Sequence, residues 1–159
     1  MCLRSSSRKA LAVLALAVLA GGCVSMQVPP SFLVIDKGAS EFKAVSHDGA
    51  RIWVRKFSDP YEGTLDFWAK TVKTEFVDGR GYTLIEEGTA RDGKGREGVE
   101  FVFEVTAGGT PQRYLVDLFV IEGGFLSGNA ICVVEYSARK PVFEQYLKDV
   151  RAAVATLKP

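Results

Sequence analysis

The sequence predicts an α+β fold: an antiparallel β-sheet meander covered by two helices, in the order βββ-α-ββββ-α. Three observations carry that expectation. Seven short runs, apolar or alternating, read as strands, and most are bounded by glycine-rich turns. Two longer stretches switch to an apolar spacing of three and four. From Phe32 onward no repeat, low-complexity tract or second linker interrupts the chain, so residues 32–159 form one domain large enough for its own core.

Taken in order, Phe32 to Ile35 is a short apolar strand. Glu41 to Ser46 and Arg51 to Phe57 are extended runs joined through His47-Asp48-Gly49-Ala50, where Asp-Gly supplies hairpin turn chemistry. In Thr64 to Val77, Leu65, Trp68, Val72 and Phe76 recur at helical spacing, with Thr64 as N-cap, Asp66 in the first turn, and Gly79 and Gly81 ending the helix. Four strands follow: Tyr82 to Glu87, Glu97 to Thr106, Arg113 to Glu122 and Ala130 to Ala138. Asp92-Gly93-Lys94-Gly95, Gly108-Gly109 and Gly123-Gly124 separate them, and such tight turns imply antiparallel neighbours. Pro141 to Leu157 closes the chain as a helix, with proline at its first turn and Phe143, Leu147, Val150, Val154 and Leu157 on one face.

The chain has 159 residues, 47% hydrophobic and 25% charged, with 20 Lys and Arg against 19 Asp and Glu. That is too apolar for a disordered chain and too balanced for a nucleic-acid binder working through a basic face. The first 22 residues are different in kind. Arg4, Arg8 and Lys9 come without an acid, then Ala10 to Ala20 is an unbroken apolar run, followed by Gly21, Gly22 and Cys23. This order of basic, apolar and small residues is that of a secretory signal peptide over 1–22, and the run is about half the ~20 residues a spanning helix needs. Without the three leader cations, 17 basic residues face 19 acids.

Leu19-Ala20-Gly21-Gly22-Cys23 resembles the lipobox of bacterial lipoproteins, with Ala20 where Leu or Val is commonest. The resemblance implies cleavage before Cys23 and acylation of Cys23 by diacylglycerol and a third chain such as palmitate. Two or more chains anchor stably where one does not. Val24 to Ser31, with two prolines, then reads as a short tether, so 23–31 is lipidated cysteine and linker. Residue 24 is Val, not the Asp that usually retains enterobacterial lipoproteins at the inner membrane, so in a host with an outer membrane the expected location is that membrane, facing the periplasm. The rest of the chain resembles the PsbP-like superfamily, including DcrB-type envelope lipoproteins. That likeness rests on the element order, on Phe76 to Glu87 leading into a long hairpin, and on the closing strand and helix from Val133 to Leu157. It implies a non-catalytic module that binds or steadies a partner, an envelope protein of unknown identity, and it carries over no functional residue.

Few residues suggest chemistry. His47 is the sole histidine and lies in a turn, and no paired-cysteine spacing exists, so neither a metal nor another cofactor is expected. Cys132, within Ala130 to Val134, reads as a core residue. Gly79-Arg80-Gly81 and Gly93-Lys94-Gly95 do not open helices and so are not phosphate cradles. In the strands, Val99, Phe101, Phe103 and Val105 oppose Glu100, Val102, Glu104 and Thr106, while Tyr114, Val116, Leu118 and Val120 oppose Arg113, Leu115, Asp117 and Phe119. Together with Arg51, Trp53 and Arg55 on one side of their own strand, a mixed face of Glu100, Glu104, Arg113 and Asp117 is expected to form the partner surface. A second reading is a carrier with an apolar pocket between helix and sheet, lined by Trp68, Phe76, Tyr136, Phe143 and Tyr146. A third is a hydrolase using two of Glu100, Glu104, Asp117 and Glu135.

Overall fold

The computed structural model describes residues 23–124 and 128–159; the leader expected at 1–22 lies outside the described residues. Nine elements follow one another: β1 (Phe32–Lys37), β2 (Glu41–Ser46), β3 (Arg51–Asp59), α1 (Leu65–Thr74), β4 (Thr83–Arg91), β5 (Glu97–Ala107), β6 (Thr110–Ile121), β7 (Asn129–Arg139) and α2 (Lys140–Val154). A π-helical turn, Glu75–Gly79, extends α1. The α+β class and the order βββ-α-ββββ-α are those the sequence predicts. All seven strands belong to one antiparallel sheet, ordered β1-β2-β3-β7-β6-β5-β4. This is two meanders rather than one, because β7 inserts beside β3 and sends β4 to the far edge.

Local chemistry explains the elements. Gly108 and Gly109 both have positive φ and form the two-residue turn between the paired Ala107 and Thr110. That is the twist-matched hairpin connection, and it starts β6 three residues earlier than expected. The Thr64 hydroxyl accepts from the Phe67 amide at 3.2 Å and caps α1. The Asp59 carboxylate, at the end of β3, accepts from the Trp68 indole at 2.9 Å and ties the helix to the sheet. Lengthening α1 by a π turn carries Phe76 onto Phe103, with ring centroids 4.7 Å apart.

The two helices cover opposite faces. Residues paired across a ladder share a face, so Ile52, Tyr136, Leu115 and Val102 line one side. There they pack with Phe143, Tyr146, Val150 and Val154 of α2. Trp53, Glu135, Val116 and Phe101 line the other, where α1 and the π turn cover Phe101, Phe103, Val116 and Leu118. Each edge strand carries a bulge at an exposed isoleucine, Ile35 in β1 and Ile85 in β4. Such bulges twist an edge away from pairing with another chain.

The segment expected to be a tether is part of the domain. Val24 is fully buried in the α2-side core, with Met26 and Val28 packed against it. The Val24 amide donates to the Ala39 carbonyl at 3.0 Å. Ser25 and Lys158 exchange backbone hydrogen bonds of 3.0 and 2.8 Å, and the Gln27 amide donates to the Thr156 hydroxyl at 2.9 Å. Two prolines and no periodicity read as linker, but a segment need not be regular to bury apolar side chains. Among the described residues, no helix is long and apolar enough to cross a membrane.

Candidate functional site

The expected partner surface divides between the two faces. Arg51, Trp53 and Arg55 stand on the α1 face, whereas Glu100, Glu104, Arg113 and Asp117 stand on the α2 face. The cause is the register of β3 against β7: Trp53 pairs with Glu135, and Val54 with Val134, which lies beside Asp117. A single mixed face is therefore not formed.

On the α1 face, the helix and π turn lie over β4–β6 and over residues 131–133 of β7, and leave β1, β2 and residues 51–55 of β3 uncovered. A groove of about 520 Å³ opens there, lined by Ile35, Val45, Arg51, Trp53, Tyr114 and Glu135 among others. Trp53 is its centre. Its indole N–H donates to Glu41 at 3.1 Å, the Arg55 guanidinium carbon lies 3.9 Å from its ring centroid, and the Lys43 ammonium lies at 4.8 Å. Cations over an indole face are attracted by its quadrupole. Arg55 in turn pairs with Glu135 at 2.6 Å, which fixes the stack. Burial, reinforced by the Glu135 charge, pushes the Tyr114 hydroxyl well above its ordinary range, so it stays neutral as a polar handle on an apolar wall. Arg51 is exposed and has no carboxylate partner among the described residues. The groove thus offers a rigid aromatic platform, aliphatic walls and one uncommitted cation.

On the α2 face the acids are arranged differently. Glu104 accepts from Arg113 and Lys140, each at 3.0 Å, and both cations hold its carboxyl below the usual range. Asp117 is fully buried opposite Glu100. Two ionised carboxylates have only acceptors to offer each other, and neither Asp117 oxygen has a hydrogen-bond donor. Burial first, and the Glu100 charge second, push the Asp117 carboxyl well above the carboxylate range. The neutral form of Asp117 is thereby favoured beside Glu100, which takes Arg151 of α2 at 3.0 and 3.1 Å through Nε. Glu86 takes the same guanidinium at 2.8 Å. A groove of about 570 Å³ lies alongside, lined by Glu86, Glu100 and Arg151, but Asp117 does not reach it.

The pocket expected between helix and sheet is absent as drawn. Trp68 and Phe76 lie on the α1 face, Tyr136, Phe143 and Tyr146 on the α2 face. Phe143 is stacked on Tyr136 at 4.7 Å and fully buried. Glu135 is likewise on the face opposite Glu100 and Asp117. Cys132 is buried, and burial pushes its thiol up to about 12. His47 is exposed in its turn, and among the described residues no cluster of three metal-ligating side chains forms. Sequence reasoning missed Tyr114, Ile35 and Lys43 as groove residues. Alternation marks the faces of each strand, but which faces coincide is set by the β3–β7 pairing, and Arg55 and Glu135 are 80 residues apart.

No protein-family model matches the sequence, and no curated protein matches it. Solved structures do. A crystal structure of LpqN, described as involved in cell envelope biogenesis of Mycobacterium tuberculosis, superposes with a TM-score of 0.62 at 12% identity, covering 86% of this chain and 83% of that one. The fold is similar to that of LpqN. A Pseudomonas aeruginosa protein of unknown function, PA94, matches with a TM-score of 0.51 at 12% identity, over 87% and 83% of the two chains. At such identities the likeness concerns the fold.

Proposed function

We propose that this chain is a lipid-anchored protein of the bacterial envelope, held through Cys23, whose domain is a non-catalytic binding or assembly module. The observation that carries the proposal is the half-covered α1 face. A sheet that buries one half under a helix and leaves the other as a groove around Trp53, braced by Arg55 and Glu135, has the aromatic and arginine anchors found at interface centres. Its occupant is an envelope protein that presents an apolar segment with an acidic group for Arg51. The PsbP-like and DcrB-type resemblance and the envelope role stated for LpqN support the same reading. A location at the outer membrane rests on residue 24 being Val rather than Asp, although Val24 also serves the core.

A catalytic reading has less support. Asp117, whose carboxyl burial pushes well above the carboxylate range, has no surface with which to meet a substrate. Cells fed a palmitate analogue test the anchor: the native chain incorporates label and Cys23→Ala does not, and equal label in both overturns the anchor. Trp53→Ala tests the groove. The variant keeps its unfolding midpoint within a few degrees but no longer co-purifies with a partner retained by the native chain; unchanged retention refutes the groove's role.

A further inference from the structure

The end of the sheet that carries Cys23 is built around four lysines that no carboxylate holds. The chain of contacts is continuous. The amide of Val24, next to Cys23, donates to Ala39; the neighbouring Ser40 carbonyl accepts from the Lys56 amide at 2.7 Å. Lys37 ends β1 just before that turn and shares the ladder position of Phe42. On the other side Ser25 pairs with Lys158, and the Leu157 carbonyl accepts from the Gly93 amide at 2.8 Å, beside Lys94. Lys37, Lys94 and Lys158 are exposed and Lys56 is half-buried. Among the described residues none of the four has an ion pair, whereas Arg91 and Arg96 at the same end are committed to Glu97 and Asp92.

Acids stand at this end too. Asp92 is buried and spends its carboxylate on Arg96 and on the amides of Lys94 and Arg96. Glu122 borders a hollow with Ser40 and Lys56 as well as one with Glu62 and Leu65 on the α1 side, and Glu41, next to Ser40, gives its carboxylate to the Trp53 indole. Lys37 and Lys56 sit on ladder positions of the α2 face, which is also where Val24 is buried. Four lysines without an ion pair among the described residues thus stand at the corner of the sheet that carries Cys23.

We propose that this corner is a membrane-apposed surface that rests on anionic phospholipid headgroups, with Lys37, Lys56, Lys94 and Lys158 toward the lipid. The inference rests on the Cys23 anchor for its orientation, but the lysine corner is an independent feature. Because Val24 is docked rather than free, an acylated Cys23 leaves no slack, and the strands stand on the bilayer at this end. The Trp53 groove then lies on the opposite face, displaced along β3 from the headgroups and open to a partner. Each lysine near an anionic surface strengthens association by about fivefold, and salt weakens it within a Debye length.

Two arms test this. In the first, the mature protein purified from bacterial membranes is placed in phosphatidylglycerol-containing vesicles and in detergent, and lysines are acetylated with a short-lived reagent. The four corner lysines should react several-fold more slowly in vesicles, with Lys70 and Lys148 unchanged; equal change at all six overturns the proposal. The intact mass of the same preparation reports whether Cys23 is acylated, so failure of the anchor is seen separately. In the second arm, Cys23→Ala over residues 23–159, which contain both packed cores, is sedimented with vesicles. Binding to phosphatidylglycerol above phosphatidylcholine, lost in Lys37→Glu/Lys94→Glu/Lys158→Glu and at high salt, supports the corner even if Cys23 proves bare. Equal binding to both lipids overturns it. Circular dichroism confirms that the triple variant is folded, as substitutions at exposed side chains allow.

Discussion

Val24 gives a prediction that separates a docked N-terminal segment from a tether. Its side chain is fully buried, and its amide is bonded to Ala39. Val24→Ala removes two buried carbons at ~0.8 kcal/mol each, and a cavity that cannot fully collapse brings the loss to about 2 kcal/mol. Val24→Asp cannot bury its carboxylate beside that core. Peeling away residues 24–31 is the cheaper response, since it forfeits the burial of Val24, Met26 and Val28 and the Ser25–Lys158 bonds but releases the backbone entropy that docking costs. The variant should therefore stay folded, with a stability loss of about 1–3 kcal/mol and a free linker of up to ~30 Å. Hydrogen exchange read by NMR is the assay. In the native chain the amides of Ser25 and Lys158 are protected; in Val24→Asp both exchange at near-random-coil rates while the amides of Val54 and Tyr136 remain slow. Rapid exchange of Ser25 and Lys158 in the native chain would refute the docking argument.

Two further outcomes concern the buried acids. Asp117 has its folded pKa raised above the unfolded value of ~3.9, so its contribution to stability is complete below pH ~4 and is lost as pH rises toward the folded value. Asp117→Asn keeps a donor for Glu100 without needing a proton; it should match the native chain in urea at low pH and exceed it increasingly as pH rises, and a pH-independent difference would contradict the assignment. Arg151→Met keeps the aliphatic stem but strands Glu100 under α2. A broken buried pair costs ~3–5 kcal/mol, and the partial exposure of Arg151 reduces this to about 2 kcal/mol near neutral pH; a loss below ~0.5 kcal/mol would show that the bridge is a surface contact.

How much of this was legible in the sequence depends on range. Hairpins such as Ala107-Gly108-Gly109-Thr110 declare themselves through turn chemistry, and α1 through Thr64 and its apolar spacing. The faces of β5 and β6 were also readable, because Glu100 and Asp117 are joined by one short turn and do pair. The union of those acids with Arg51, Trp53 and Arg55 failed because it required knowing how β3 meets β7, a contact between distant segments that alternation does not encode. Arg151 was hidden for a related reason: on α2 it lies beside the apolar stripe of Val150 and Val154, and only the helix's placement over β5 brings it to Glu100. Val24 was overlooked because neighbouring prolines suggested a linker.

On the reading proposed above, the Trp53 side of the sheet, and not the α2 side, engages a partner in the envelope. A photo-crosslinking residue at Arg51, compared with one at the exposed Lys148 of α2, tests it in intact cells. A discrete crosslinked product is expected from position 51, disappearing in a Trp53→Ala background, and none from position 148. Products of equal yield from both positions, or a position-51 product insensitive to Trp53→Ala, would contradict it.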